Sequence, residues 1–463
     1  MPSIVALLLC TIFVFFLLRL ERKQAPKVSL ALWIPTIWML FTASKSLEVW
    51  FGSSGGDDLS GSPLDRAFLI GLLCLGLLIL ARRRFDWSTA IKKNIWLILL
   101  IGYMLVSILW SEIPFVSFKR WGRELIAIIM AFLVLTEPSR RQAVQSLIRR
   151  TVYILIPFSL LLIKYFPEYG RMYGRWSGGE MWIGVAVQKN GLGRLCLISI
   201  FFLVWSLIRR WKGSDVPVRS YQTYAEVLLL VAALFLLIGP PGAYPATAIV
   251  ALGAGLAMFG TLQWMRKHRM YLGAIPAVAM IVLVVGFGIV TPFVGGSTVG
   301  GFSPILGRSE TLTGRTDIWA GLLPFFEKHP ILGHGFGGFW TPMTQQAIFG
   351  QKEAHNGYLD VFLGIGIVGL LLIVLFLLSF CWKAQRELTH DYDWASLCIC
   401  YLLMALIHNV TESSINSFTS HLTAVLLFLA VSVPRKGACN NATGRENLLR
   451  STPLVYQDPL MTD

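Results

Sequence analysis

Charge is scarce in this sequence. Only 14% of its 463 residues are Asp, Glu, Lys or Arg, while 55% are hydrophobic. Soluble domains carry roughly 25% charged residues and just under half apolar ones. The shortfall excludes a soluble globular fold, and disorder or a collagen-like chain with it. Cysteine is sparse too. The seven are Cys10, Cys74, Cys196, Cys381, Cys398, Cys400 and Cys439, and no pair has the spacing of a zinc site or a redox motif. Neither disulfides nor a metal are expected from them. No acidic cluster has divalent-metal spacing, although the scattered Asp57, Asp58 and Asp317 are free to converge. No internal repeat is evident.

What the chain does have is long apolar runs. Crossing a bilayer takes about 20 apolar residues. Thirteen runs qualify as candidates, near residues 3–18, 29–44, 66–81, 94–110, 122–136, 151–166, 191–208, 224–239, 244–263, 271–291, 356–382, 393–410 and 416–433. The fold class is therefore all-α, a polytopic bundle of about 12–13 spans forming one domain over 1–433. The first run has no basic segment before it and no small-residue cleavage site after it, so it reads as an uncleaved helix. The net charge of +15 follows the topology rather than a nucleic-acid partner. Of the 40 Lys and Arg, 26 fall on one side of the bundle, which marks that side as cytoplasmic. The polar tail 434–463 falls there as well.

The other side carries the informative loops. A long loop, 292–355, contains Ile318, Trp319, Leu322, Leu323 and Phe326 at helical spacing, with Thr313 or Thr316 as a possible cap and Pro330 as a stop. This predicts an amphipathic helix on the membrane or on the bundle, with Arg315 near an N-terminus that favours anions. Gly333-His334-Gly335-Phe336-Gly337-Gly338 matches a dinucleotide fingerprint only formally, since no strand precedes it. It predicts a tight turn that lets backbone approach a ligand or a helix end. His355-Asn356 stands where the loop re-enters the membrane, and its imidazole suits a general acid or base. An interfacial cap is the competing reading. His408-Asn409, followed by Glu412, is a second such pair, and the two are read as structural.

Two earlier loops break the charge bias. One holds Arg171, Arg175, Lys189, Asn190 and Arg194, the other Lys119, Arg120 and Arg123 beside Glu112 and Glu124. Arginine binds pyrophosphate by paired hydrogen bonds, so an anionic ligand would compensate these charges. Pairing of Glu112 and Glu124 with the nearby bases is the plainer account of the second loop. Tyr173, Trp176 and Trp182 suit an interfacial belt, or stacking on sugars.

The stretches G-R-T-D-I-W, H-P-I-L-G-H-G-F-G and A-H-N-G-Y-L-D-V-F-L-G-I-G-I-V-G-L resemble the bacterial O-antigen ligase/polymerase family. W-S-E-I-P-F-V-S-F-K-R and W-I-G-V-A-V-Q-K-N-G-L-G do so too, and the likeness runs from roughly 40 to 430, on the exopolysaccharide-polymerase side of the family. The resemblance implies a multispanning, GT-C-like glycosyltransferase of the bacterial inner membrane, inverting, without metal or cofactor. It implies a donor glycan on undecaprenyl pyrophosphate and a glycan acceptor at the periplasmic face, with a chain-length regulator and a flippase as partners. By the same resemblance, Arg315 and Arg175 stabilise the leaving pyrophosphate and His355 serves the acceptor. Arg171 is the second choice for the earlier arginine, and Lys189, Asn190, Asn356 and Arg120 are candidate substrate-binding residues. A ligase acting on lipid A-core is the alternative, and a transporter of lipid-linked oligosaccharide the alternative of another class.

Overall fold

The computed structural model describes residues 2–52, 62–83, 85–173, 178–213, 220–270, 273–294 and 315–432. Eighteen α-helices follow one another along these residues. They are α1 (Ser3–Gln24), α2 (Trp33–Ala43), α3 (Leu47–Phe51), α4 (Pro63–Arg82), α5 (Trp87–Lys93) and α6 (Ile95–Val106). Next come α7 (Pro114–Leu135), α8 (Arg140–Tyr165), α9 (Pro167–Gly170), α10 (Lys189–Trp211), α11 (Tyr221–Ile238) and α12 (Ala246–Lys267). The chain ends on α13 (Ala274–Val294), α14 (Arg315–Lys328), α15 (Pro342–Ala347), α16 (Gly357–Glu387), α17 (Tyr392–Thr411) and α18 (His421–Ser432). A short hairpin pairs β1 (Arg171–Tyr173) with β2 (Glu180–Trp182) antiparallel.

Each of the thirteen apolar runs coincides with a helix. Among the described residues nine helices are long and apolar enough to cross a membrane, and α5 with α6 makes a tenth span bent by 92°. Two runs are shorter than a bilayer. Residues 30–43 and His421–Ser432 are apolar but only 10–17 residues long. Burial sorts the helices into a centre and a rim. The apolar windows of α8 and α17 are both 83% buried, whereas those of α1 and α4 are 17% and 22% buried. Helices α8, α10, α17 and α18 therefore form the middle, and the rim helices turn leucine, isoleucine and phenylalanine outward, as lipid contact requires.

The length of α18 positions the site. All twelve of its residues are buried, yet twelve residues rise only about 18 Å, against about 30 Å of hydrocarbon. The connection 412–420 must therefore dip into the bundle to meet it. Glu124 of α7 anchors the dip, accepting hydrogen bonds from Ser417 Oγ and the Phe418 amide, each at 2.6 Å. The carboxylate thus serves a loop rather than the neighbouring basic residues.

The glycine-rich stretch turns against a helix rather than a ligand. Helix α16 breaks at Gly366, which takes φ 63°. The break frees amides that find the loop: Ile367 N donates to Pro330 O at 3.0 Å and Val368 N to Ile331 O at 3.3 Å, while His334 N donates to Leu363 O at 2.9 Å. Gly333 has φ +67°, and a Cβ there would lie 2.5 Å from Gly366 N. Gly333→Ala is expected to lower stability by about 1–3 kcal/mol through left-handed strain and that clash. Gly253→Ala, with open space around it, is the matched control in a thermal unfolding comparison.

Charge enters the bundle at the basic end. Glu226 of α11 is fully buried and takes hydrogen bonds from Arg149 (3.1 Å), Arg210 (2.7 Å), Tyr153 (3.0 Å) and Ser206 (3.0 Å). Beside it Arg150 of α8 holds Glu21 of α1 at 2.9 Å, with its guanidinium 4.7 Å from the Trp33 ring centre. These pairs pin α1, α8, α10 and α11 together.

Candidate functional site

At the opposite end of the bundle four segments converge. They are the first turn of α14, residues 353–356, the first turn of α10, and the dipping connection after α17. The amphipathic helix expected in the long loop is α14. Ile318, Trp319, Leu322 and Phe326 are its buried face and pack on the bundle, while Leu323 points outward at 36% exposure. Trp319 Nε1 donates to Ala354 O at 2.9 Å, so the helix and the segment before α16 are fixed together. This places Arg315, its first residue, inside the protein at 7% exposure.

Arg315 meets Glu412. Its Nη2 lies 2.6 Å from Glu412 Oε1, and Asn190 Nδ2 donates to the same oxygen at 2.6 Å. Glu412 caps the end of α17, and its carbonyl accepts from Gly357 N at 3.1 Å, at the start of α16. One acidic residue thus joins α10, α14, α16 and α17. Four residues along from Asn190, Arg194 reaches into the dip, donating to Ser414 and Ser420, both at 3.0 Å.

His355 completes the group. Its Nδ1 lies 3.1 Å from Glu353 Oε1, and its backbone takes φ 50°. Left-handed backbone is uncommon outside glycine and clusters at functional sites. Burial alone would favour the neutral imidazole. The Glu353 contact and the charges of Glu353 and Glu412 outweigh burial and the repulsion of Arg315, so His355 titrates above its ordinary value. Glu353 moves the other way: burial would raise it, but His355, Arg194 and Arg315 hold it below the usual carboxylate range.

Donor atoms of Glu353, His355 and Glu412 all lie within 4.8 Å of one another. Two carboxylates and an imidazole can hold a divalent cation by donor type. Here, however, the Arg315 guanidinium faces Glu412 and the His355 ring faces Glu353, so both acids already have side-chain partners.

The other expected residues divide. Asn190 joins the group, and Lys189 opens α10 beside it. Arg175 and Trp176 lie outside the described residues, as do Asp57, Asp58 and Thr313. Three residues expected at the substrate are set in scaffold contacts. Arg171 donates to Ile163 O at 2.7 Å and pairs with Glu180 across the hairpin at 3.2 Å. Arg120 donates to Gly337 O and ties α7 to the glycine-rich turn. Asn356 is fully buried as the cap of α16, accepting from the Tyr358 and Leu359 amides and donating to Gly288 O at 2.8 Å. Trp182 packs on Phe235, ring centres 5.1 Å apart, rather than standing free for a sugar. Glu412, which follows the His408-Asn409 pair in sequence, is the residue of that region that reaches Arg315, and Glu353 escaped notice altogether. Its position two residues before His355 was the available signal.

The fold and this group define a polytopic helical membrane protein with a recessed cluster of arginine, histidine and carboxylate at the end away from the basic loops. Residues 231–374 match the family model described as O-antigen ligase, a stretch from α11 into α16 that contains Arg315 and His355. The Exopolysaccharide production protein ExoQ of Rhizobium meliloti (strain 1021) is 23% identical over 329 residues, covering 65% of this chain and 68% of its own. The chain is thus similar to the O-antigen ligase family over residues 231–374 and to an exopolysaccharide production protein over about two thirds of its length.

Proposed function

We propose that the protein polymerises lipid-linked oligosaccharide repeats by inverting glycosyl transfer at the periplasmic face of the inner membrane. The donor would be a glycan on undecaprenyl pyrophosphate and the acceptor a hydroxyl of a second lipid-linked repeat. The observation that carries this reading is Arg315, buried at the site and held by a carboxylate a few ångströms from His355. Similarity to an exopolysaccharide production protein supports a role in making polysaccharide, and the O-antigen ligase match supports, as a second reading, a ligase that delivers glycan to lipid A-core.

The chemistry needs two things, a stabilised leaving group and a place for the hydroxyl proton. Arg315 exchanges Glu412 for a phosphoryl oxygen as the donor enters, and Arg194 adds positive charge beside it. Arg175 is proposed as the second pyrophosphate arginine, and Lys189 and Asn190 as neighbours of the donor. The acceptor oxygen attacks the anomeric carbon as the carbon–oxygen bond to phosphate breaks. Its proton passes to His355 Nε2, because Nδ1 faces Glu353. Glu353 then holds the imidazolium. Pre-oriented charge of this kind supplies several kcal/mol at a developing anion, roughly 2.7–4 for a single donor.

The pH profile follows from the pairing. His355 must be neutral to accept a proton, so activity rises with pH through its elevated pKa. Glu353→Gln removes the contact that favours the imidazolium. The acid limb of kcat/KM is expected to move to lower pH, while the maximum falls because the product imidazolium loses its partner. A limb that stays in place would exclude His355 as the base.

The deciding experiment supplies purified protein with lipid-linked repeat units, without lipid A-core, in EDTA. A ladder of longer glycans, absent in Arg315→Ala and His355→Ala, is expected. A native repeat that yields no ladder, but is delivered to lipid A-core, would make the protein a ligase. The break in α16 gives transport a structural handle, and movement of the repeat across vesicles by both variants would favour it.

A further inference from the structure

A cavity lies at the basic end of the bundle, away from Arg315. It holds about 600 Å³ and sits between the end of α4, the bent α5–α6 pair, the α7–α8 turn and the end of α18. Pockets of roughly 300–1,000 Å³ are the usual size for small ligands. Its polar wall carries Arg83, Lys93 and Arg140 against a single acid, Asp86, and its floor includes Leu135 and Val431.

The three cations are not equivalent. Arg83 is spent on structure: Nη1 donates to Thr136 Oγ1 and Glu137 Oε1, and Nη2 to Ser29 Oγ. Glu137 neutralises it and is fixed in return by Ser29. Among the described residues Arg140 donates only from Nε, to Leu135 O at 3.3 Å, and it lines the cavity with both Nη atoms unassigned there. Lys93 has no hydrogen-bond partner among the described residues. Lys383 adds a further positive charge behind the wall, donating to Asn94 Oδ1 at 3.2 Å. With the Arg83–Glu137 pair cancelled, the cavity keeps a positive balance and unused donors on Lys93 and Arg140.

The surroundings are those of a membrane surface. Phe85 and Trp87 stand 4.9 Å apart beside the cavity, both against Phe132 of α7. Of these, Trp87 is of a type enriched at the headgroup level. Helices α5 and α6 meet at a bend of 92°, and residues of α5 line the cavity. Anionic lipids concentrate at cytoplasmic surfaces, where each nearby Lys or Arg contributes about 1 kcal/mol.

We propose that this cavity is a binding site for a phosphate group, held by Lys93 and Arg140 at the basic end and separate from the Arg315 site. A phosphodiester of an anionic lipid and a soluble phosphate ester share this chemistry. The apolar floor and flanking rings fit the lipid, whose first acyl carbons would rest on Leu135 and Val431.

The test is native mass spectrometry of the full-length protein in detergent, titrated with phosphatidylglycerol, and separately with glycerol 3-phosphate. Phosphatidylcholine is the zwitterionic control. Lys93→Gln/Arg140→Gln is expected to lower phosphatidylglycerol affinity by roughly tenfold or more, about 1.4 kcal/mol. Arg19→Gln/Lys23→Gln, on the same side but outside the cavity, should change it little. If the double variant melts early, Lys93→Gln alone carries the comparison. Loss of glycerol 3-phosphate binding by the cavity variant, with lipid binding intact, would keep the phosphate site and assign it to a soluble ester. Equal lipid binding by wild type and cavity variant, with no effect on the soluble ester, would overturn the proposal. An equal loss in the Arg19/Lys23 variant would overturn it too, because generic surface charge would then account for the binding.

Discussion

Arg315→Ala is expected to cut glycan extension by roughly 10²–10³-fold, the effect of removing one pre-oriented donor from a developing oxyanion. The mutation also strands Glu412, which is 3% exposed and loses its guanidinium partner. Unpaired buried charge costs several kcal/mol, so part of any loss could come from misfolding. Arg315→Ala/Glu412→Gln separates the two effects. It restores a neutral pair to the site, so its melting temperature should recover, while extension stays low. Arg315→Lys keeps the charge but not the forked donor, and should recover only a fraction of the rate. Gel analysis of lipid-linked products, beside melting curves, reads all three. An Arg315→Ala protein that melts normally and extends glycans at near wild-type rate would remove Arg315 from the chemistry.

The second large effect concerns stability. Glu226→Ala leaves Arg149 and Arg210 facing each other without their shared acid. Breaking a buried ion pair from one side costs about 3–5 kcal/mol. A clearly lowered melting temperature is expected, together with poor recovery from the membrane. Glu226→Gln retains hydrogen bonding and should fall between the two. The distance between this network and Arg315 leads to a further expectation. Whatever Glu226→Gln protein does fold should keep its specific activity.

The fold was legible because lipid imposes a simple rule. A spanning segment must be apolar and satisfy its own backbone, so helices announce themselves by composition. Each of the thirteen runs therefore appears as a helix at nearly its expected place. What composition could not give was depth. The run near 416–433 becomes a twelve-residue helix beginning at His421, because the connection before it folds inward. That inward fold is what brings Glu412 to Arg315, across 97 residues of sequence. Pairings at such separation leave no local pattern. Arg315 and His355 could be picked out singly, by residue type and place. Asn356 and Arg120 have equally suggestive types, but a helix cap and a glycine turn claim them. Which hydrogen bonds each of these side chains makes is not encoded locally in the sequence.

The buried pairs at the basic end also bear on how the chain is made. Glu21 is synthesised 129 residues before Arg150, and Arg149 comes 77 residues before Glu226. Each of these helices is released from the ribosome before its partner exists. An Arg or Asp near a helix centre adds about 2.5–3.5 kcal/mol to insertion, and less towards the ends. Helix α1 therefore waits with an uncompensated acid until α8 arrives, and α8 waits with Arg149 until α11 does. The ion pairs at the basic end can therefore close only after α8 and α11 have been made.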